Sequence, residues 1–429
     1  MDLPLAAGWR CVVCGASVDI AEPLAWRCPN AIGDDRHHSL ELVQAEASLR
    51  SNGDRNPFQA FRQHLAWDSY ARALGMTDVA RRAVVAELDD RVADVAGTGF
   101  MVTPFERADA LSAALGFSDN GGVWVKDETS NVAGSHKARH LFTILLHLVA
   151  TELAGRAPWA DQSSRPPLAI ASCGNAALAA ATLAAAVGWP IQVFVPAVAN
   201  QVVVSMLDDL HANVVTCPRM STDAPGDPCV HRFREAVAAG AVPFSVQGPE
   251  NAWCLDGGRT IGWEMATRSS VQFHRTFVQV GGGAFAACVS EGMREGGALP
   301  RLHAVQTDSC APLRRAWHRS RELEQPGSAA THWAECMWPW EQVGVSAADG
   351  ILDDETYDWL PVLAAMARSG GEPIVVTEAQ VLQANELAGL HTAIHASHTG
   401  TAGLAGLLTV RAQVGNDDRV AVIFSGASR

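Results

Sequence analysis

The chain has 429 residues, 48% hydrophobic and 18% charged, with a net charge of −14, enough material for two domains and a small appendage. That charge, with few lysines and no Lys/Arg cluster, argues against a nucleic-acid partner, and no apolar run is long enough to cross a bilayer. Ten cysteines, behind a start (Met1 to Leu5) that lacks a basic, apolar secretory pattern, point to reduced thiols or a metal site in the cytoplasm rather than to a disulfide framework.

In chain order, Cys11-Val12-Val13-Cys14-Gly15 opens a C-x-x-C turn, and Cys28 follows a second short apolar run. Three thiolates in that spacing suit tetrahedral zinc, with His38, or His37 beside it in Arg36 to Leu40, as fourth ligand. A short cysteine-rich segment has too little core to fold unaided, which favours the metal. Between Asn52 and Ala96 the pattern turns helical, with Phe58, Phe61, Leu65, Tyr70 and Leu74, then Val85, Leu88, Val92 and Val95.

From Gly121 onward, short apolar or β-branched runs alternate with Ala/Leu-rich stretches, the pattern of βαβ units around a parallel sheet. The predicted strands are 123–126, 168–172, 191–196, 213–217, 276–280, 302–306, 374–377 and 419–424. The predicted helices include 136–152, 176–187, 285–295 and 400–414.

Four segments at strand ends carry candidate chemistry. Lys137 lies at a predicted helix start, where unsatisfied amides disfavour an extra positive charge and help an amine act as nucleophile and proton carrier. A solvated helix-start lysine looks the same locally. Ser172, Cys173, Gly174, Asn175 and Ala176 form a turn before an alanine-rich helix, suited to a carboxylate or to simple capping by Asn175. Gly281, Gly282, Gly283 and Ala284 form a turn that closes backbone amides around a phosphate; the spacing is neither G-x-G-x-x-G nor a P-loop. Ser425 ends the last strand, where a hydroxyl projects at the strand's carboxyl end.

In that order these motifs resemble the fold-type II (tryptophan-synthase-β-like) pyridoxal-phosphate enzymes, in the branch of threonine synthases and serine/threonine ammonia-lyases, over Thr103 to Arg429. Lys126 to Thr129 with Gly134 to Lys137 is similar to the family's lysine segment, Ser172 to Asn175 to its Ser-Ser-Gly-Asn loop, and Gly281 to Ala284 to its phosphate loop. Asp256 to Glu264 and Val305 to Pro312 are similar to threonine-synthase-like segments.

The resemblance implies an α/β fold of two open, mostly parallel α/β/α domains with the cofactor in the interdomain cleft, plus a zinc-ribbon-like N-terminal segment. The expected divisions are 1–45 for that segment, 46–120 for helices packing on the larger domain, 121–235 for the smaller domain with the lysine, and 236–429 for the larger domain with the phosphate loop. It further implies that Lys137 bonds the cofactor and shuttles the α-proton, Asn175 meets the ring hydroxyl, Gly281 to Ala284 hold phosphate, Ser425 meets the pyridine nitrogen, and residues 172–176 bind the substrate carboxylate.

A neutral hydroxyl at the ring nitrogen limits the electron sink and suits β-elimination and β-replacement on an amino acid. His136 and Ala138 flank the lysine where many threonine synthases have Phe and Asp, which favours an ammonia-lyase over a threonine synthase or other β-replacement synthase. Arg139, Arg259 and His136 are the candidates for a distal-phosphate pocket. A degenerate cofactor-binding or zinc-mediated interaction protein is the alternative from another class, and a homodimer is the expected assembly. His391, His395 and His398 read better as ordinary histidines than as a metal row, and the tryptophans of 333–340 better as core than as a substrate mouth.

Overall fold

The computed structural model describes residues 5–33, 37–268, 271–324 and 327–429. The first residues of the chain and Arg36 of the proposed zinc segment therefore lie outside the described residues. The chain divides into two units: Met1–Met101, Asn131–Ala133 and Lys137–Gly257 form one, and Val102–Ser130, Gly134–His136 and Gly258–Arg429 the other.

The first unit holds two sheets. Ala6–Cys11 (β1) lies between Ser17–Asp19 (β2) and Leu40–Gln44 (β3) in an antiparallel sheet. A parallel sheet runs in the order Asn213–Cys217 (β8), Ile191–Pro196 (β7), Leu168–Ala171 (β6) and Val242–Pro243 (β9). Its central strands read Leu-Ala-Ile-Ala and Ile-Gln-Val-Phe-Val-Pro, near-continuous apolar runs as expected when both faces are covered. Helix Lys137–Leu153 is buried almost all round and packs against Asn175–Ala186, whose alanines permit close approach.

The second unit is built on a six-stranded sheet ordered Glu372–Val376 (β12), Arg301–Thr307 (β11), Arg275–Gln279 (β10), Arg419–Phe424 (β13), Gly122–Asp127 (β5) and Phe105–Arg107 (β4), parallel except for β4. Alternation along β13 sends Ala421 and Ile423 into one apolar cluster and Val420, Val422 and Phe424 into another, so both faces are covered. The carboxyl ends of β5, β10 and β13 therefore carry the loops of interest.

The predicted strands fall where expected within one or two residues, and 191–196, 213–217 and 419–424 match at both ends. The unit boundaries fall elsewhere. The strand before Lys137, grouped by chain continuity with residues 121–235, lies in the other unit because β5 pairs with β13 from Gly122↔Arg419 to Asp127↔Phe424. Residues 46–101 likewise join the unit of Lys137, and 102–120 the other.

Candidate active site

In the second unit, β10 ends at Gln279 and the turn Gly281–Gly283 opens helix Ala284–Glu295. Gly283 is the N-cap, with φ 97°, and no side chain caps the helix. The turn admits only glycine for steric reasons as well. A Cβ on Gly281 would run into the Asp353 carboxylate, and one on Gly283 would come within 2.9 Å of Thr356 Cγ2. Asp358 N–H donates to Gly282 O at 2.7 Å and fixes the turn from behind. The result is a helix N-terminus whose first amides take no acceptor from a side-chain cap, the arrangement that suits an anion.

Ser425 follows β13 directly and is 3% exposed. Its Oγ accepts from Gln279 Nε2 at 2.6 Å, and the same nitrogen donates to Gly400 O at 2.9 Å and Ile423 O at 3.2 Å. Those two carbonyls settle which end of the amide is nitrogen. Ser425 Oγ is thus an acceptor toward Gln279, and its own hydrogen is directed elsewhere. Sequence reasoning missed Gln279. The available signal was an amide after the apolar pair Phe277-Val278, two residues before the glycine turn.

The three residues before Lys137, Gly134–His136, belong to this unit. Both His136 N and Nδ1 donate to Ser425 O, at 3.1 and 3.0 Å, which sets the ring's tautomer, and the ring stacks on Phe285 at 3.9 Å. Ala427 N donates to Gly134 O at 2.8 Å, Ser397 N to Gly426 O at 3.0 Å, and Ser428 N to His395 O at 3.0 Å. Residues 425–428 are therefore bonded to the lysine's loop on one side and to 395–400 on the other.

In the first unit, Lys137 is the first residue of helix Lys137–Leu153 and is half-buried. His140, three residues on, is fully buried, and its pKa is pushed down to about 3 by burial, with the Lys137 charge adding to the effect. Ser172 and Cys173 leave β6, and the next helix begins at Asn175 with Gly174 as its N-cap. Asn175 is therefore the first helical residue and not the cap. Here too no side chain caps the helix, while Ser172 Oγ accepts from Gly174 N at 3.4 Å.

Residues 98–426 match the profile of the family described as pyridoxal-phosphate dependent enzyme. The chain belongs to that family. Among solved structures it is similar to threonine deaminase isoform 2 from Solanum lycopersicum, with TM-score 0.59 and 17% identity over 82% of this chain and 91% of that one. It is similar to diaminopropionate ammonia lyase from Escherichia coli, with TM-score 0.62 and 15% identity over 81% and 88%. It also resembles a pyridoxal 5'-phosphate-dependent aspartate racemase, with TM-score 0.62 and 19% identity over 80% and 95%. At these identities the likeness is one of fold, which is the fold-type II architecture the sequence motifs imply. No curated protein matches the sequence.

The residues present fit the cofactor of the pyridoxal-phosphate family: a glycine cradle at an uncapped helix start suits a phosphate, and a hydroxyl donor suits a ring nitrogen. Other charged groups near these motifs have structural partners. Lys126, fully buried, donates to Thr103 O at 2.8 Å and pairs with Glu264, with Glu128 3.9 Å away. Arg259 bonds Glu295 at 2.7 Å and stacks on Trp263, and Arg139 reaches Met101 O at 3.3 Å.

Far from these motifs in sequence, Cys11, Cys14, Cys28 and His38 come together with ligand atoms all within 4.8 Å of one another. His38 and not His37 completes the set. This is the one metal-capable group among the described residues, so 391, 395 and 398 do not form another. Trp333 is half-buried and packs against the core of the second unit, while Trp338 and Trp340, also half-buried, carry the Arg315 guanidinium at 3.7 and 5.0 Å. No helix among the described residues is long and apolar enough to cross a membrane.

Proposed function

We propose that this chain catalyses β-elimination on a hydroxy or otherwise β-substituted amino acid, releasing ammonia and a 2-oxo acid. Pyridoxal phosphate, when bound, supplies the electron sink for the pair left on the substrate's α-carbon. Lys137 Nζ would hold the cofactor covalently at rest and, once released by the substrate amine, would take the α-proton and return it to the leaving group. Its place at a helix start, where positive charge is disfavoured, supports the neutral amine that this work needs. The amides of 281–284 bind phosphate, those of 172–176 orient the substrate carboxylate, and Asn175 meets the ring hydroxyl.

The observation that carries this reading is the Gln279–Ser425 contact. Because the Gln279 amide nitrogen only donates to Ser425 Oγ, at 2.6 Å, the hydroxyl keeps its own hydrogen free of Gln279 and would meet a ring nitrogen as a donor. A neutral donor would leave that nitrogen unprotonated, so charge at the α-carbon would be relieved by loss of a β-substituent rather than by prolonged storage in the ring. A distal substrate phosphate finds less support. Arg259 is engaged with Glu295 and Trp263, and Arg139 is fully buried.

The test is incubation of the holoenzyme with L-threonine, L-serine and O-phosphohomoserine, with 2-oxo acid and phosphate assayed separately. Keto acid from a hydroxy amino acid, without phosphate release, is the expected result; no keto acid from any β-substituted amino acid sinks the proposal. Lys137→Ala should lower turnover by about 10⁴-fold or more, and borohydride reduction should no longer fix the cofactor to the peptide carrying residue 137.

A further inference from the structure

The N-terminal module lies outside the family match and is not used by the proposed reaction. Its four clustered side chains have the dimensions of an ion. Zinc bonded to thiolate at about 2.3 Å and imidazole at about 2.0 Å in a tetrahedron sets S···S near ~3.8 Å and S···N near ~3.6 Å. Cys14 Sγ lies 3.6 Å from Cys28 Sγ, and Cys11 Sγ lies 3.4 Å from His38 Nδ1. A disulfide needs about 2.05 Å, so the 3.6 Å separation is far too long for one. Two N–H groups from one residue also turn toward the sulfurs: Asn30 N to Cys28 Sγ and Asn30 Nδ2 to Cys14 Sγ, both at 3.4 Å. Donors aimed at sulfur are what a thiolate ligand set requires.

The ligands are spread along the chain so that an ion closes the whole module. Cys11 ends β1, Cys14 sits in the turn toward β2, and His38 precedes β3. Cys28 anchors a segment without regular structure that begins at Leu24, whose φ is 58°, a strained value for a leucine. That segment is bonded to the rest of its unit at three points. Leu24 N donates to His147 Nε2 at 3.1 Å, Trp253 Nε1 donates to Ala25 O at 3.0 Å, and Ala252 N donates to Trp26 O at 2.8 Å. Trp9 of β1 meets Trp253 edge-on at 5.4 Å, and His147 stacks on Tyr70 at 4.2 Å and lies tilted against Trp253 at 4.1 Å.

These contacts end on one helix, the one that starts at Lys137. His140 Nδ1 donates to Cys254 O at 2.9 Å, Thr143 Oγ1 donates to Trp253 O at 2.8 Å, and His147 accepts from Leu24. The three side chains, at spacings of three and four, form one face of helix Lys137–Leu153. Gly257 lets the backbone after Trp253 approach that helix, since a Cβ there would overlap Arg139 O.

We infer that Cys11, Cys14, Cys28 and His38 bind one Zn²⁺, and that this ion is the staple that holds segment 24–28, and through Trp253 and His147 the helix carrying Lys137, in place. Three thiolates and an imidazole at tetrahedral spacing favour zinc over magnesium or calcium, which take oxygen ligands. With four protein ligands and no open position the ion is structural and takes no part in the reaction.

The test uses full-length holoenzyme. Elemental analysis should find one zinc per chain, lost in Cys14→Ser and His38→Ala and retained in His38→Cys, which rebuilds a four-ligand set. Cobalt(II) exchanged into the protein should show the visible bands of a tetrahedral thiolate site. In the zinc-free variants, hydrogen exchange in 137–153 should rise on the order of tenfold, while exchange in 284–295 stays unchanged. Cys14→Ser removes an exposed side chain; if it fails to fold, the His38→Ala and His38→Cys pair supplies the same comparison. A metal-free native protein, a Cys14–Cys28 disulfide, or zinc loss without faster exchange in 137–153 would each overturn the inference. None of these readouts depends on turnover, so failure of the proposed reaction leaves this test intact.

Discussion

Two kinds of helix start in this chain contrast. Six α-helices among the described residues start with a side chain that accepts from the first turn: Asn56 from Phe58 N, Thr77 from Ala80 N, Asn200 from Val202 N, Asp227 from Cys229 N, Thr377 from Gln380 N and Ser397 from Gly400 N. Helices Asn175–Ala186 and Ala284–Glu295 start instead with Gly174 and Gly283, and neither has a side-chain cap. A capping oxygen satisfies a helix's own amides and contributes to folding. A glycine leaves them for a ligand and contributes to binding. Both glycine starts follow the carboxyl end of a parallel strand, β6 or β10, where ligands of open α/β sheets gather. On the proposed function, the same backbone feature serves stability in one place and recognition in the other.

The largest perturbation ignores how a helix starts and so calibrates the rest. Burial pushes His140 and His147 down to about 3 and His303 to about 4, so the fold holds all three neutral. The unfolded chain binds their protons near pH 6.5 and the folded one does not. Their contribution is therefore intact above that value and is lost as pH falls from 6.5 toward 3. Thermal melts at pH 7.5 and 4.5 should differ by roughly 10 °C, with the acid sample lower. His147→Gln, which keeps an acceptor for Leu24 N–H, should flatten that slope.

Next in size is Gly283→Asp, which gives a glycine-started helix the cap it lacks. At φ 97° the aspartate is strained, and its charge opposes a phosphate, so cofactor affinity in an absorbance titration should fall about a hundredfold. Gly174→Asp is the cleaner exchange, since nothing lies within 4 Å of the new Cβ and φ is −140°. KM for the amino acid should rise about tenfold while the melting temperature moves by less than about 2 °C. An unchanged KM would break the contrast between the two kinds of helix start. The smallest change, Thr77→Ala, should cost about 1 kcal/mol of stability in urea melts and leave cofactor affinity as it was.

Much of this was legible in the sequence because the signals are local. A strand's apolar run, a glycine turn and an alanine-rich helix each announce themselves within a dozen residues, so strands 191–196 and 419–424 fall where read. The cysteine cluster was legible too, since C-x-x-C spacing is a constraint on a single turn. Illegible features depend on partners distant in sequence. The six-residue strand 122–127 reads equally well in either sheet until β13, almost 300 residues later, is seen beside it. Gln279 looks like the polar end of a mixed strand until Ser425 is set next to it. Gly174 displaced Asn175 as the cap because the helix gained one residue at its start, a margin that propensity does not resolve.

One feature of the second unit bears on how the protein tolerates change. Residues 425–428 are stitched to Gly134 and His136 on one side and to His395 and Ser397 on the other, so three distant stretches of chain share one short seam. A substitution in 395–400 that shifts this seam moves the residue directly before Lys137 without touching any ligand. Because these bonds run almost entirely from backbone to backbone, the seam tolerates exchanges of side chain but not of length: an insertion or deletion in any one of the three stretches displaces the other two.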